Sequence, residues 1–155
     1  MCFLPIQDIC FKWLNKTSRK FIFIFHLNSK MLQTGLKLTQ THIVQENDTA
    51  VFLGSGSLPV YATPALVAFM ENTAVKSISN QLEKGNDSVG ISIQLNHTKA
   101  SKIGEEIFCS AELTYIDGRK LTFHLEAKNA KGEIIGTATH DRFIILPEKF
   151  MSKLS

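Results

Sequence analysis

The sequence predicts an α+β domain in which a curved antiparallel sheet wraps around one long central helix. Three observations carry this. Residues 63–83 repeat apolar side chains at helical spacing. Four later segments alternate apolar and polar residues, with turn signals between them. The 155 residues, 44% apolar, suit one domain that buries a core without a metal or disulfide.

The first thirty residues read differently from the rest. Phe21-Ile22-Phe23-Ile24-Phe25 is apolar, with basic residues before it. The run is too short to span a bilayer, and no small-x-small cleavage site follows. Met31 opens a stretch with cleaner periodicity. Residues 1–30 are expected to be upstream sequence or a poorly ordered extension, and 31–155 the domain. The competing reading is one extra strand or helix.

Residues 35–46 alternate loosely and predict a strand. Gly54-Ser55-Gly56-Ser57 and Pro59 then break the chain. Thr63 is a suitable helix N-cap, and Pro64 suits the first helical position, where its missing N–H is harmless. Leu66, Val67, Met70, Ala74, Ile78 and Leu82 form the dry stripe; Asn72, Lys76, Ser79, Asn80 and Glu83 form the wet one. Lys84-Gly85-Asn86-Asp87 is the expected stop.

Strands are expected at 89–99, 106–116, 120–128 and 133–146. In the first of these, Val89, Ile91, Ile93 and Leu95 should face one way, Gly90, Ser92, Gln94 and Asn96 the other. Asp117-Gly118 and Asn129-Ala130-Lys131-Gly132 are turn signals. One strand, one covered helix and four antiparallel strands follow the order of a hotdog domain.

The composition excludes several function classes. A net charge of +3 with scattered lysines gives nucleic-acid binding no support. No segment reads as a membrane span. Cys2, Cys10 and Cys109 form no Cys-x-x-Cys pair, so a reducing, cytoplasmic location is expected. No metal motif, phosphate-binding glycine loop or Gly-x-Ser-x-Gly turn is present, so neither a metal nor a separate cofactor is expected.

Three polar residues sit on faces otherwise apolar. Glu71 has Val67, Ala68, Ala74 and Val75 one turn away, and a carboxylate there is costly unless paired or neutralised. A head that snorkels to water explains it equally well. Thr63 lies two turns before Glu71, about 80° around the helix. A plain cap accounts for Thr63; a functional hydroxyl there would sit beside free helix N–H groups that favour negative charge. His97 continues the apolar face of its strand, where a hydrogen-bonded core histidine is the ordinary reading. His124 shares an exposed side with Thr122 and Glu126, and the side of His140 is ambiguous.

Val60-Tyr61-Ala62-Thr63-Pro64, Val67-Ala68-Phe69-Met70-Glu71 and Gly90-Ile91-Ser92-Ile93-Gln94-Leu95-Asn96-His97-Thr98 together resemble the fluoroacetyl-CoA-type thioesterases, a branch of the hotdog superfamily. The likeness continues through Gly136-Thr137 and Glu148-Lys149-Phe150, over roughly residues 35–150. It implies a catalytic set of Thr63, Glu71 and His97. It also implies a homodimer or higher even oligomer, with acyl-CoA bound at or near the subunit interface. Gly90 matches a family glycine near the thioester. Leu58 stands where the fluoroacetyl-CoA enzyme has a phenylalanine in a lid-like region, which points to a broader short-chain acyl-CoA substrate.

The expected activity is acyl-CoA thioester hydrolysis. His97 is the expected base. Glu71 orients it or attacks the carbonyl, and Thr63 attacks or stabilises the oxyanion. A hydratase or dehydratase and a non-hydrolytic acyl-CoA-binding module are the alternatives.

Overall fold

The computed structural model describes residues 32–155, so the expectation for residues 1–30 lies outside the described part. The elements are β1 (Lys37–Ile43), α1 (Thr63–Ile78), β2 (Asp87–His97), β3 (Glu106–Asp117), β4 (Lys120–Asn129), β5 (Ile134–Ile145) and a short α2 (Pro147–Met151). A single 3-10 turn, Glu46–Asp48, lies between β1 and α1. The strands form one antiparallel sheet in the order β1-β3-β4-β5-β2. The expected α+β hotdog architecture is therefore present, with the predicted order of elements. Among the described residues no helix is long and apolar enough to cross a membrane.

Leu66, Met70, Ala74 and Ile78 of α1 are buried against Ile107, Leu113, Leu121, Phe123, Leu125 and Ile135 of the sheet. The outer residues Thr122, His124 and Glu126 of β4 alternate with these and are at least partly wet. Two-residue closure at Asp117↔Lys120 uses Gly118 at φ 56°, a value glycine adopts freely. Asn129 caps the β4–β5 turn, its side-chain oxygen accepting from the backbone N–H of Lys131 and Glu133.

Three local expectations change. The N-cap is Ala62, not Thr63: the first helical bond runs from Leu66 N–H to Ala62 O, and Thr63 makes no capping bond. Its hydroxyl is engaged elsewhere. The helix ends at Ile78, short of the Lys84-Gly85 stop, because residues 79–82 tighten into turns off the Ile78 carbonyl. Leu82 still packs on the core.

The third change matters most. The β2–β5 register slips between Gly90 and Ser92, a bulge centred on Ile91. One extra residue reverses the alternation. Ser88 and Gly90 therefore share the helix-facing side with Ile93, Leu95 and His97, while Ile91 turns outward, 54% exposed. The uniform alternation expected through Val89 and Ile91 does not hold.

Candidate active site

The segment before α1 is pinned on both flanks. Thr49 bridges to Tyr61 and Val60 to Lys102. Tyr61 N–H donates to Ser101 O, and Ala62 N–H to Asp48 O. Thr63 thus enters the helix from a fixed direction. Gly136 pairs with His97 across β5–β2, and a Cβ there would lie 3.0 Å from Leu66 Cδ2. The missing side chain lets the first turn of α1 approach the end of β2.

The outcome is a Thr63–His97 pair, with Oγ1 3.0 Å from Nδ1. His97 Nε2 is buried and has no hydrogen-bond partner among the described residues. The Tyr61 ring stands edge-on to the imidazole at 6.4 Å. Both partners line a cavity of about 320 Å³, with Val60, Tyr61, Thr98 and Lys99 on its walls. Burial lowers the pKa of His97, and the Lys99 backbone offsets part of this. The imidazole is therefore held toward its neutral form, the form a base requires. With its proton on Nε2, Nδ1 accepts from the Thr63 hydroxyl; with the proton on Nδ1, the ring donates to the Thr63 oxygen and Nε2 carries the lone pair.

Glu71 lies elsewhere. Eight residues of helix separate it from Thr63 by about 12 Å along the axis. Its carboxylate is not within ion-pair distance of His97; it sits 3.5 Å from His140 Nε2, with 38% of its side chain exposed. Gly90 faces it: a Cβ there would fall 2.5 Å from Glu71 Oε1 and 3.1 Å from His140 Cε1. The bulge at Ile91 produces this contact by turning Gly90 inward. The structure therefore brings Thr63 to His97, and Glu71 to Gly90, as two clusters on one face of the sheet. Leu58 is 62% exposed on the loop before α1, its carbonyl accepting from Val51 N–H. It lines neither of the two cavities near the helix.

Sequence patterning did not single out two neighbours of Glu71. His140 and Arg142 are buried on the inner face of β5, at 0% and 5% exposure. The alternation of polar Thr137, Thr139 and Asp141 with Ala138, His140 and Arg142 was the available signal. Two basic residues on the dry side made it look ambiguous. Tyr61 is also more central than its place in a loop suggests. Its hydroxyl is buried without a partner among the described residues, and burial, with the nearby Asp48 carboxylate, raises its pKa well above the usual range. A second cavity, about 460 Å³, opens on the other side of Tyr61, where His42 Nε2 lies 2.7 Å from Asp48 Oδ2.

A sequence profile described as fluoroacetyl-CoA-specific thioesterase matches residues 44–148. The fluoroacetyl-CoA thioesterase of Streptantibioticus cattleyicolor is 37% identical over 95 residues, 61% of this chain and 68% of that protein. A crystal structure of the fluoroacetyl-CoA-specific thioesterase FlK superposes with a TM-score of 0.74 at 30% identity, covering 79% of this chain and 95% of that one. A thioesterase-superfamily protein of Thermus thermophilus gives 0.73 at 25% identity, over 79% and 90% of the two chains. The chain belongs to the fluoroacetyl-CoA-specific thioesterase family.

Proposed function

We propose that this protein hydrolyses short-chain acyl-CoA thioesters to the carboxylate and free CoA. The observation that carries the reading is the Thr63–His97 pair at the wall of a cavity, with His97 Nε2 buried and unpartnered among the described residues. His97 accepts a proton from water or from the Thr63 hydroxyl as either attacks the thioester carbonyl. The tetrahedral intermediate then collapses, the C–S bond breaks, and the thiolate leaves and is protonated as CoA. If Thr63 attacks first, water then hydrolyses the acyl ester formed on its oxygen. If it does not, its hydroxyl donates to the oxyanion. Variants of the related FlK have been crystallised with fluoroacetate and CoA and with acetyl-CoA. Leu58, in place of the lid phenylalanine, favours a substrate range wider than fluoroacetyl-CoA.

The working unit in this reading is a homodimer with composite sites. Among the described residues strand β2 pairs only with β5, and its other edge can pair with a second copy. Gly90 and His97 lie seven residues apart along β2, about 23 Å in extended chain. Antiparallel pairing of two β2 strands about a two-fold axis runs one strand's His97 toward the other's Gly90. Glu71 of one subunit then serves the Thr63–His97 pair of its partner. It either orients the imidazole or attacks the carbonyl. Acyl-CoA lies at that interface, and cysteine usage favours the cytoplasm.

The deciding experiment follows CoA release with a thiol reagent over a panel of acetyl-, propionyl-, butyryl- and fluoroacetyl-CoA. Turnover of short acyl groups that falls to background in His97→Ala supports the reading. Equal release by wild type and His97→Ala on every substrate overturns it.

A further inference from the structure

Arg142 is buried in direct reach of the Glu71 cluster, yet it does not pair with the carboxylate. Three of its five N–H donors are engaged elsewhere. Nε donates to Ser88 Oγ at 3.0 Å, Nη2 to Ser88 O at 2.6 Å, and Nη1 to His140 Nε2 at 3.2 Å. Glu71 accepts no side-chain hydrogen bond among the described residues, and its nearest cationic or imidazole contact is His140 Nε2 at 3.5 Å.

The partners of His140 fix its proton. Nδ1 lies 2.7 Å from Ser92 O, a carbonyl that can only accept, so Nδ1 carries hydrogen. Nε2 faces an arginine N–H at 3.2 Å, which can only donate, and the Glu71 carboxylate at the longer 3.5 Å; the shorter contact places the lone pair on Nε2. A second proton on Nε2 would set two donors against each other. The charged groups around the imidazole are Glu71 from α1 and Arg142 and Asp141 from β5. Burial, aided by Arg142, outweighs the hydrogen bond to the Ser92 carbonyl and the two carboxylates and holds the pKa of His140 below its ordinary value. The bulge supplies the other half of the frame: Ser88 and Ser92 flank Gly90-Ile91 and accept from Arg142 and His140 in turn.

We propose that His140 is a positioning residue for this thioesterase: as a neutral acceptor it holds Arg142 off Glu71, leaving the carboxylate free to act. An arginine paired bidentately with Glu71 would occupy both carboxylate oxygens and weaken it as a base or nucleophile. With the acceptor gone, Nη1 has Glu71 as its next acceptor, since both border the space opposite Gly90. Nearby positive charge is retained while the direct pair is withheld. The inference rests on the hydrolytic reading above for its kinetic arm only.

The test compares three substitutions. His140→Phe keeps a ring and removes both polar atoms; His140→Asn keeps a donor near Nδ1 but no acceptor near Nε2; His140→Gln places an acceptor near Nε2. Phe and Asn should lower kcat roughly tenfold or more with KM within about threefold, while Gln stays within about threefold of wild type. If the Phe variant fails to fold, the Asn–Gln contrast carries the same information. Gln as impaired as Asn, or Asn at wild-type kcat, overturns the proposal. Nitrogen NMR of histidine-labelled wild type tests it without turnover. His140 should remain the neutral Nδ1–H tautomer from about pH 7 to 8. A charged or Nε2–H ring in that range overturns the proposal even if hydrolysis is observed. Absent hydrolysis with the expected tautomer overturns only the activity.

Discussion

Thr63 Oγ1 and His97 Nδ1 stand 3.0 Å apart although 34 residues separate them in sequence. The contact exists because Thr63 is the first residue of its helix rather than the cap, so its hydroxyl is not spent on the helix's own N–H groups. His97→Ala should lower kcat by about 10²–10⁴, the usual contribution of a positioned base. Thr63→Ser keeps the hydroxyl and should retain more activity than Thr63→Ala. Steady-state CoA release measures both. Equal rates for the two threonine variants would remove the hydroxyl from the chemistry.

His97 also sets an acid limb. Its neutral form is the base, and burial depresses its pKa. The kcat/KM profile should therefore fall toward low pH with a midpoint below about 6.5, the free-histidine value. Loss of that limb in His97→Gln assigns it; an unchanged limb assigns it to another group.

The same shifts affect stability, with a definite sign. His97 and His140 both have depressed folded pKa values. Between the folded value and about 6.5 the unfolded chain binds more protons. Their contribution is fully present above about pH 6.5 and is lost as pH falls toward the folded values. Urea denaturation at pH 7.5 and 5.5 should show lower stability at 5.5. His140→Gln should flatten the difference. A steeper dependence in that variant contradicts the assignment.

Gly90→Ala should damage activity more than stability. The new Cβ would overlap Glu71 Oε1 at 2.5 Å and crowd His140 Cε1 at 3.1 Å. The glutamate head can swing aside, which relieves strain but misplaces the carboxylate. A roughly tenfold or greater loss of kcat with a melting temperature within a few degrees is expected. Kinetics beside a thermal melt checks it. Unfolding without selective kinetic loss would make Gly90 a packing residue alone.

Composite sites predict complementation between inactive variants. Glu71→Ala and His97→Ala homodimers should each be nearly inactive. After mixing and subunit exchange, half the dimers are mixed, and each has one intact site. Activity should return to about a quarter of wild type. No recovery, with exchange shown by mass spectrometry, would confine each site to one chain.

The sequence alone determined the architecture. Periodicity of 3.6 in one stretch and of two in four others admits few ways to bury the apolar faces, and covering Leu66, Met70, Ala74 and Ile78 with a curled sheet is one of them. It also marked Thr63, Glu71 and His97, because polar groups on dry faces break the pattern. Folding decided the grouping. The Ile91 bulge, invisible in an alternation of apolar residues, turned Gly90 toward Glu71 and placed Ser88 and Ser92 under Arg142 and His140. Gly136 let α1 close on the end of β2, so that Thr63 meets His97. Patterning reports which face a side chain occupies. Which residues meet across that face depends on register and close approach, and these are settled only when the strands pair and the helix docks.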